Sequence, residues 1–291
     1  MVGRDLSPLA VARARREPMV RIGCVKYLNA RPLIQGWPGS VEFDDPSPLC
    51  TRLANGELDG ALVSSFEFLR NPIYRIVDNV SISSNGPVYS VVVAHRGDLS
   101  EIEEIELDPA SETAVNLLRC LLAEFRLNPS LVGKSVLEIR TGRNFPGSAG
   151  CQPAVVGSLP ATNTARLLIG DHAIRFRQKY AGEFHFWDLG EQWKKLVNLP
   201  FVYALWLIRP EVRGVEHIAP RLRELRDENL AGIEELIAEE KEFDTTFCRR
   251  YYRENLRFSF GGEEKEGLRT FANLCAKQGL LPKRDLAFDL V

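Results

Sequence analysis

A chain of 291 residues is longer than one hydrophobic core usually serves, so two lobes are expected before any motif is considered. Its 37 basic and 39 acidic side chains nearly cancel, which leaves no global field to gather nucleic acid or an anionic membrane surface; any anion selectivity has to come from a local site. With 45% hydrophobic and 26% charged residues, and no run near the ~18 apolar residues that span a bilayer, the composition is that of a soluble globular protein with no membrane partner.

Residues 1–19 carry Arg4, Arg13, Arg15 and Arg16 around a short apolar patch at 8–11, too little for the hydrophobic region of a secretory signal, so a frayed leader and a cytoplasmic location are expected. The six cysteines have no CxxC spacing and sit mostly in apolar surroundings such as LLRCLL, as buried reduced thiols do.

The apolar run 20–25 predicts a buried strand, 27–32 a turn, and Leu33 onward a short helix. Ser47 followed by Pro48 predicts a helix start, and Gly56 its stop. DGALV (59–63) predicts a second strand with Ser64 and Ser65 at its carboxyl end, where open α/β sheets present hydroxyls to a crevice. VYSVVVA (88–94), after the turn Asn85-Gly86-Pro87, predicts a third strand leading out of the first lobe near His95 and Arg96.

The pattern then restarts. Residues 104–107 predict a strand, Ser111 to Thr113 a helix start, 135–139 a strand, 144–160 a Gly/Pro/Ser-rich loop, and ARLLIG (165–170) a strand ending at Asp171. LPFVYALWLI (199–208) predicts a long strand returning to the first lobe. Beyond Arg209 an apolar stripe of Leu222, Leu225, Leu230, Ile233, Leu236 and Ile237 predicts packed helices. The expected plan is a leader at 1–19, lobe one at 20–95, lobe two at 96–200, and a helical return to lobe one over 201–291.

Ser111-Glu112-Thr113 opens a helix after a strand, where free amides and the positive helix end hold a carboxylate; an ordinary helix cap is the plainer alternative. Asn29, Ser64, Ser65 and Ser90 lie at or near carboxyl ends of predicted strands, although Asn29 also suits a turn and Ser90 a local bond inside the sheet. His95, His172, His185 and His217 form no metal-binding spacing, and Gly147, Gly150 and Gly157 form no phosphate loop, so neither a metal nor a nucleotide cofactor is expected. Nothing in the pattern specifies an oligomeric state.

Three segments, YLNARPL (27–33), GELDGALVSSFEFL (56–69) and SSNGPVYSVVV (83–93), together resemble chorismate dehydratases of the futalosine route to menaquinone. LLIGDHAI (167–174), WDLGEQW (187–193) and NLPFVYALW (198–206) are similar to that family as well. The resemblance implies an α/β fold like that of type II periplasmic solute-binding proteins, with two lobes and a ligand cleft between them. It also implies a hydro-lyase: chorismate loses its ring C4 hydroxyl and C3 proton as water, giving 3-[(1-carboxyvinyl)oxy]benzoate.

Positions matching Asn29 and Ser90 are those tied to catalysis in the family. Ser64, Ser65, Ser111, Thr113 and Asp171 are the expected substrate-binding set, Glu112 is expected to face solvent, and Ala114 stands where the family often has another hydroxyl. A neutral amide has no useful basicity near pH 7, so Asn29 positions the substrate or touches the leaving hydroxyl; the base is either the substrate's enolpyruvyl carboxylate or a side chain such as Asp171. The alternatives are a non-catalytic solute-binding protein for a small carboxylate, and a sibling enzyme acting on dehypoxanthinyl futalosine. The motif at 27–33 argues against the sibling.

Overall fold

The computed structural model describes residues 20–133 and 163–291; the leader, the predicted strand at 135–139 and the loop at 144–160 lie outside them. The first half supplies β1 (Ile22–Val25), a tight turn over Leu28–Leu33, β2 (Val41–Asp44), α1 (Pro46–Ala54), β3 (Gly60–Ser64), α2 (Ser65–Arg70) and β4 (Arg75–Ser84). It continues with β5 (Val91–His95), β6 (Glu104–Glu106), α3 (Glu112–Glu124) and β7 (Ser130–Val132). After the undescribed segment come β8 (Thr164–Ile169), α4 (Gly170–Lys179), β9 (His185–Asp188), α5 (Leu189–Val197) and β10 (Phe201–Ile208). The last part is helical, with α6 (Val215–Ala231), α7 (Ile233–Ala238), α8 (Thr245–Arg250) and α9 (Gly262–Lys277), and ends in the short β11 (Asp289–Leu290).

Two sheets result, ordered β2-β1-β3-β10-β4-β11 and β7-β6-β8-β5-β9. They share one logic. In each, parallel strands are joined by one antiparallel strand that arrives from the other half of the chain: β10 between β3 and β4, and β5 between β8 and β9. Such exchange requires the chain to cross between lobes twice, at 85–90 and at 198–200.

This placement corrects the plan expected from the sequence. The strand at 88–94 is β5 and belongs to the second sheet, so the first crossing falls before Val91 and not at His95. Its residues are buried on both faces. Val91 and Val93 join the main core, whereas Val92 and Ala94 meet Ala173 and Phe176 of α4. A strand covered on both faces reads as an unbroken apolar run in either sheet, and only its hydrogen-bonded neighbours decide which one holds it.

The unpredicted β4 takes the place in the first sheet. Its sequence RIVDNVSISS hides the strand, because Asn79 adopts a positive φ of 62° and the pairing with β10 shifts register nearby. Its serines nonetheless fit a buried strand: Ser81 donates to the Ser259 carbonyl and Ser83 to that of Arg257. The first helix also starts earlier than expected, at Pro46 after Asp45, with Ser47 and Pro48 in its first turn. Proline tolerates this position because its missing N–H is one the helix start leaves unpaired anyway.

The two lobes share one continuous core. Trp193 of α5, Phe201 of β10 and Phe271 of α9 meet edge-to-face, with centroids 4.9–6.1 Å apart. Helix α3 of the second lobe packs on α2 and α9, and the Cys120 and Cys275 thiols touch at 3.7 Å. In the C-terminal stripe Leu222, Leu225, Ile233, Leu236 and Ile237 are buried as packing requires.

Asp188 braces the first crossing. Only 2% exposed, it accepts hydrogen bonds from the amides of Val88 (3.0 Å), Tyr89 (2.8 Å), Gly190 (3.1 Å) and Glu191 (3.2 Å). Burial pushes its carboxyl up while the amides and Arg177 pull it down. A Cβ at Gly190 would lie 2.5 Å from the Gly86 carbonyl and 2.6 Å from the Tyr203 hydroxyl, so only glycine lets α5 approach the crossing strand this closely.

Candidate functional site

A cleft opens between the two sheets. Its apolar walls include Val25 and Ile82 from one lobe and Val91 and Ile169 from the other, and its polar lining includes Asn29, Ser64 and Ser111. No lysine or arginine stands among the described lining residues. The starts of α1, α3 and α4 reach it through Pro46, Ser111 and Gly170, so the positive ends of these helices face the cleft.

Asn29 sits in the tight turn after β1. Its Oδ1 is buried and has no hydrogen-bond partner among the described residues, an arrangement that costs free energy unless a ligand or water supplies a donor. Ser90 is fully buried, directly before β5, and its Oγ accepts a hydrogen bond from the Tyr251 hydroxyl at 2.7 Å. The Asn29 side chain lies close enough to that tyrosine hydroxyl to pull its titration down. Asn29 and Ser90, predicted from distant segments, are thus brought together.

The remaining predicted residues have more varied places. Ser64 and Ser111 line the cleft, and Ser111 also caps α3 by accepting from the Ala114 amide at 3.4 Å, so the cap reading holds for its side chain. Thr113 is enclosed: its hydroxyl contacts Ser64 and Ser65 and accepts from the Phe66 amide at 3.0 Å, and its own amide donates to Ser64 at 3.2 Å. Ser65 donates to the Val202 carbonyl at 2.7 Å. These hydroxyls join the lobes and are spent on each other.

Asp171, at the start of α4, accepts from the Leu28 amide across the cleft at 2.9 Å. Burial raises its carboxyl to about 6, against the downward pull of that amide and of Arg175. Nearby, the ring of Tyr27 lies where a Cβ on Gly170 would come within 2.9 Å. Gly170 has a φ of +56°, and its amide donates to the Ser90 carbonyl at 2.8 Å. Tyr27 in turn donates to Asp45 at 2.9 Å.

Glu112 does not face solvent as expected. It is 7% exposed and paired with Arg70 of α2, whose Nη1 lies 2.6 Å from both carboxylate oxygens. Arg70 also pairs with Glu67 of its own lobe. A charge at a helix start that meets a guanidinium from the facing lobe is buried without being left unpaired, and like-charge repulsion of an anion in the cleft is muted by that pairing. Ala114 lines the cleft, placing a methyl where a further hydroxyl was looked for.

Sequence reasoning missed Tyr251. It lies in the charged stretch RRYYREN, where no strand end or spacing marks it, and only the tertiary fold brings it to Ser90.

A family model described as menaquinone biosynthesis matches residues 20–143 and 151–277. The chain belongs to the menaquinone biosynthesis family. Among curated relatives, a chorismate dehydratase of Thermus thermophilus is 28% identical over 265 residues, which is 86% of this chain and 93% of the relative. Among solved structures, a structural-genomics protein from Archaeoglobus fulgidus superposes with a TM-score of 0.64 at 16% identity, covering 90% of this chain and 98% of that one. The periplasmic aliphatic sulphonate binding protein of Escherichia coli superposes at 0.56 with 12% identity, over 93% of this chain and 89% of that one. The alkanesulfonate-binding protein of Xanthomonas axonopodis pv. citri, bound to MOPS, gives 0.55 at 16% identity, over 92% and 95%. The fold is therefore periplasmic-binding-protein-like, as the sequence predicts. Among the described residues no helix is long and apolar enough to cross a membrane.

Proposed function

We propose that this protein is a chorismate dehydratase, removing the C4 hydroxyl and C3 proton of chorismate as water to leave 3-[(1-carboxyvinyl)oxy]benzoate. The observation that carries this reading is the buried, unpartnered Oδ1 of Asn29 at a cleft between lobes, next to the Ser90–Tyr251 pair, in a chain of this family. The substrate is a small dicarboxylate with apolar ring edges, which suits walls of branched side chains interrupted by a few hydroxyls and helix starts.

In this reading Asn29 Oδ1 accepts the hydrogen of the ring hydroxyl and fixes its orientation. Ser90, whose oxygen already accepts from Tyr251, donates its own proton toward the departing hydroxide. Loss of the C3 proton places charge on the conjugated ring carboxylate, and the gain of aromaticity drives departure of the hydroxide. The proton goes either to the substrate's enolpyruvyl carboxylate or to Asp171, raised toward neutrality and one residue from the Asn29 turn through its bond to Leu28. The buried thiols of the described cysteines suit a reducing compartment and support a cytoplasmic reaction in this reading.

Incubation of the purified protein with chorismate, followed by mass spectrometry for loss of one water, tests the proposal. Ser90→Ala is expected to lower kcat about 100-fold, as removal of one aligned donor does elsewhere. A melting shift with chorismate but no turnover refutes dehydration in favour of binding, and consumption of dehypoxanthinyl futalosine alone points to the sibling reaction. Undiminished turnover in Asp171→Ala removes that residue as the base.

A further inference from the structure

The chain from Tyr251 to Asn255 forms a single wide helical turn, closed by a bond from the Leu256 amide to the Tyr251 carbonyl at 3.2 Å. Widened turns of this kind are rare and recur at functional sites. Three side chains leave this one for the two segments that carry the candidate chemistry. Tyr251 donates to Ser90 Oγ at 2.7 Å, Tyr252 to the Leu28 carbonyl at 2.8 Å, and Asn255 to the Pro87 carbonyl at 2.9 Å. Residues one and five of a turn share a face and residue two lies a quarter-turn away, so all three side chains leave the same side of it.

We infer that the turn Tyr251–Asn255 is a positioning element of the cleft and that Tyr251 sets the direction of the Ser90 hydroxyl proton. The inference rests on the dehydratase reading given above. A serine hydroxyl carries one proton and two lone pairs, so once its oxygen accepts from Tyr251 its proton has to be given elsewhere. Tyr251 is fully buried, and burial pushes its hydroxyl up, so it remains a donor at any working pH. Its ring is held independently of that bond, stacked on Phe247 with centroids 5.5 Å apart and planes 15° from parallel.

The test is a kinetic cycle on the full chain with chorismate as substrate. Tyr251→Phe keeps the stacked ring and removes only the donor; it is expected to lower kcat about tenfold with KM changed less than about twofold, the pattern of an interaction made in the transition state. Because Tyr251 acts through Ser90, the double variant Tyr251→Phe/Ser90→Ala is expected to be no slower than Ser90→Ala alone. Site-specific 3-fluorotyrosine at 251, which retains the hydroxyl, is expected to restore kcat to within about threefold of the parent. An unchanged kcat in Tyr251→Phe, or a full tenfold loss added in the Ser90→Ala background, overturns the inference while parent turnover leaves the dehydratase reading standing. Absence of turnover in the parent overturns both.

Discussion

Replacing Asp188 by asparagine keeps the side-chain volume and exchanges one acceptor oxygen for a donor NH2. In the folded chain Oδ1 accepts from Val88, Gly190 and Glu191 at 3.0, 3.1 and 3.2 Å, and Oδ2 accepts from Tyr89 at 2.8 Å with the Arg177 guanidinium at 3.5 Å. An asparagine that satisfies the first three must turn its NH2 toward the Tyr89 amide and the guanidinium, so one buried N–H is left unsatisfied and a cation faces a donor. The first fault costs about 1–3 kcal/mol, and loss of charge assistance in the surviving bonds brings the total to about 2–4 kcal/mol. For a chain of this size that corresponds to a melting temperature lower by roughly 3–7 °C. Urea unfolding at pH 7 measures the free energy directly, and Asp98→Asn is the control. Asp98 also accepts amide and hydroxyl hydrogens, from Ser100 at 2.8 Å, but on an exposed turn where water replaces them, so its melting point barely moves. Because Val88 and Tyr89 lead directly into Ser90, Asp188→Asn is also expected to lower kcat/KM at least tenfold. An Asp188→Asn protein that melts within about 2 °C of the parent refutes the claim that this carboxylate pins the crossing.

Two further perturbations follow from the cleft. Gly170→Ala places a methyl 2.9 Å from the Tyr27 ring at a residue with φ +56°; left-handed strain and overpacking together predict a loss of about 2–4 kcal/mol and a larger scattering radius, and a variant with parent-like melting and scattering refutes the close-approach argument. The carboxyl of Asp171 titrates near 6 when folded and near 3.8 when unfolded, so the folded state binds the proton more tightly and its contribution to stability falls as pH rises from about 4 through about 6. Asp171→Asn removes that loss: the melting temperature of the variant relative to the parent is expected to climb between pH 4 and pH 7, and a difference independent of pH contradicts the raised carboxyl. Asp108 is raised to about 6 by the same burial and contributes in the same direction in both proteins.

Much of the fold was legible because strands buried on both faces leave short apolar runs bounded by turns. β1, β3, β8 and β10 were all marked in this way, and the alternation of strands with helices implied two sheets. What stayed hidden was pairing. Val91–His95 looks the same whether it continues one sheet or crosses to the other, since hydrogen-bond partners leave no mark on local composition. β4 was concealed by Asp78, Asn79 and three serines, residues that local reasoning assigns to turns; two of the serines, Ser81 and Ser83, here find acceptors in the C-terminal segment. At the candidate site, Asn29, Ser64 and Ser111 were visible because strand ends and helix starts are where α/β sheets present polar groups, whereas Ser90, expected near a carboxyl end, directly precedes β5. Tyr251 was not, because its relevance comes from a widened turn some 160 residues further along the chain, and a turn's width is decided by packing. Glu112 was misread for a related reason: its partner Arg70 lies 42 residues away on the other lobe.

The polar groups at the lobe boundary divide by what they can still do. Thr113 and Glu112 are engaged with partners across the boundary, Ser65 bonds to Thr113 across it and to the Val202 carbonyl of its own lobe, and Asp171 spends one oxygen on the Leu28 amide. Asn29 Oδ1 alone among the predicted site atoms is buried without a described partner. Separation of the lobes exposes these groups to water, where each lost hydrogen bond is largely replaced, and the net cost per bond is about 0.5–1.5 kcal/mol. The Arg70 cluster divides unevenly in that event: Arg70 keeps Glu67 within its own lobe, while Glu112 moves into water at the start of α3, where the helix dipole favours a negative charge. The inter-lobe ion pair can therefore break without leaving either charge buried and alone. Re-forming that boundary restores the hydroxyl cluster beside the cleft, so the contacts that hold the lobes together also shape its wall.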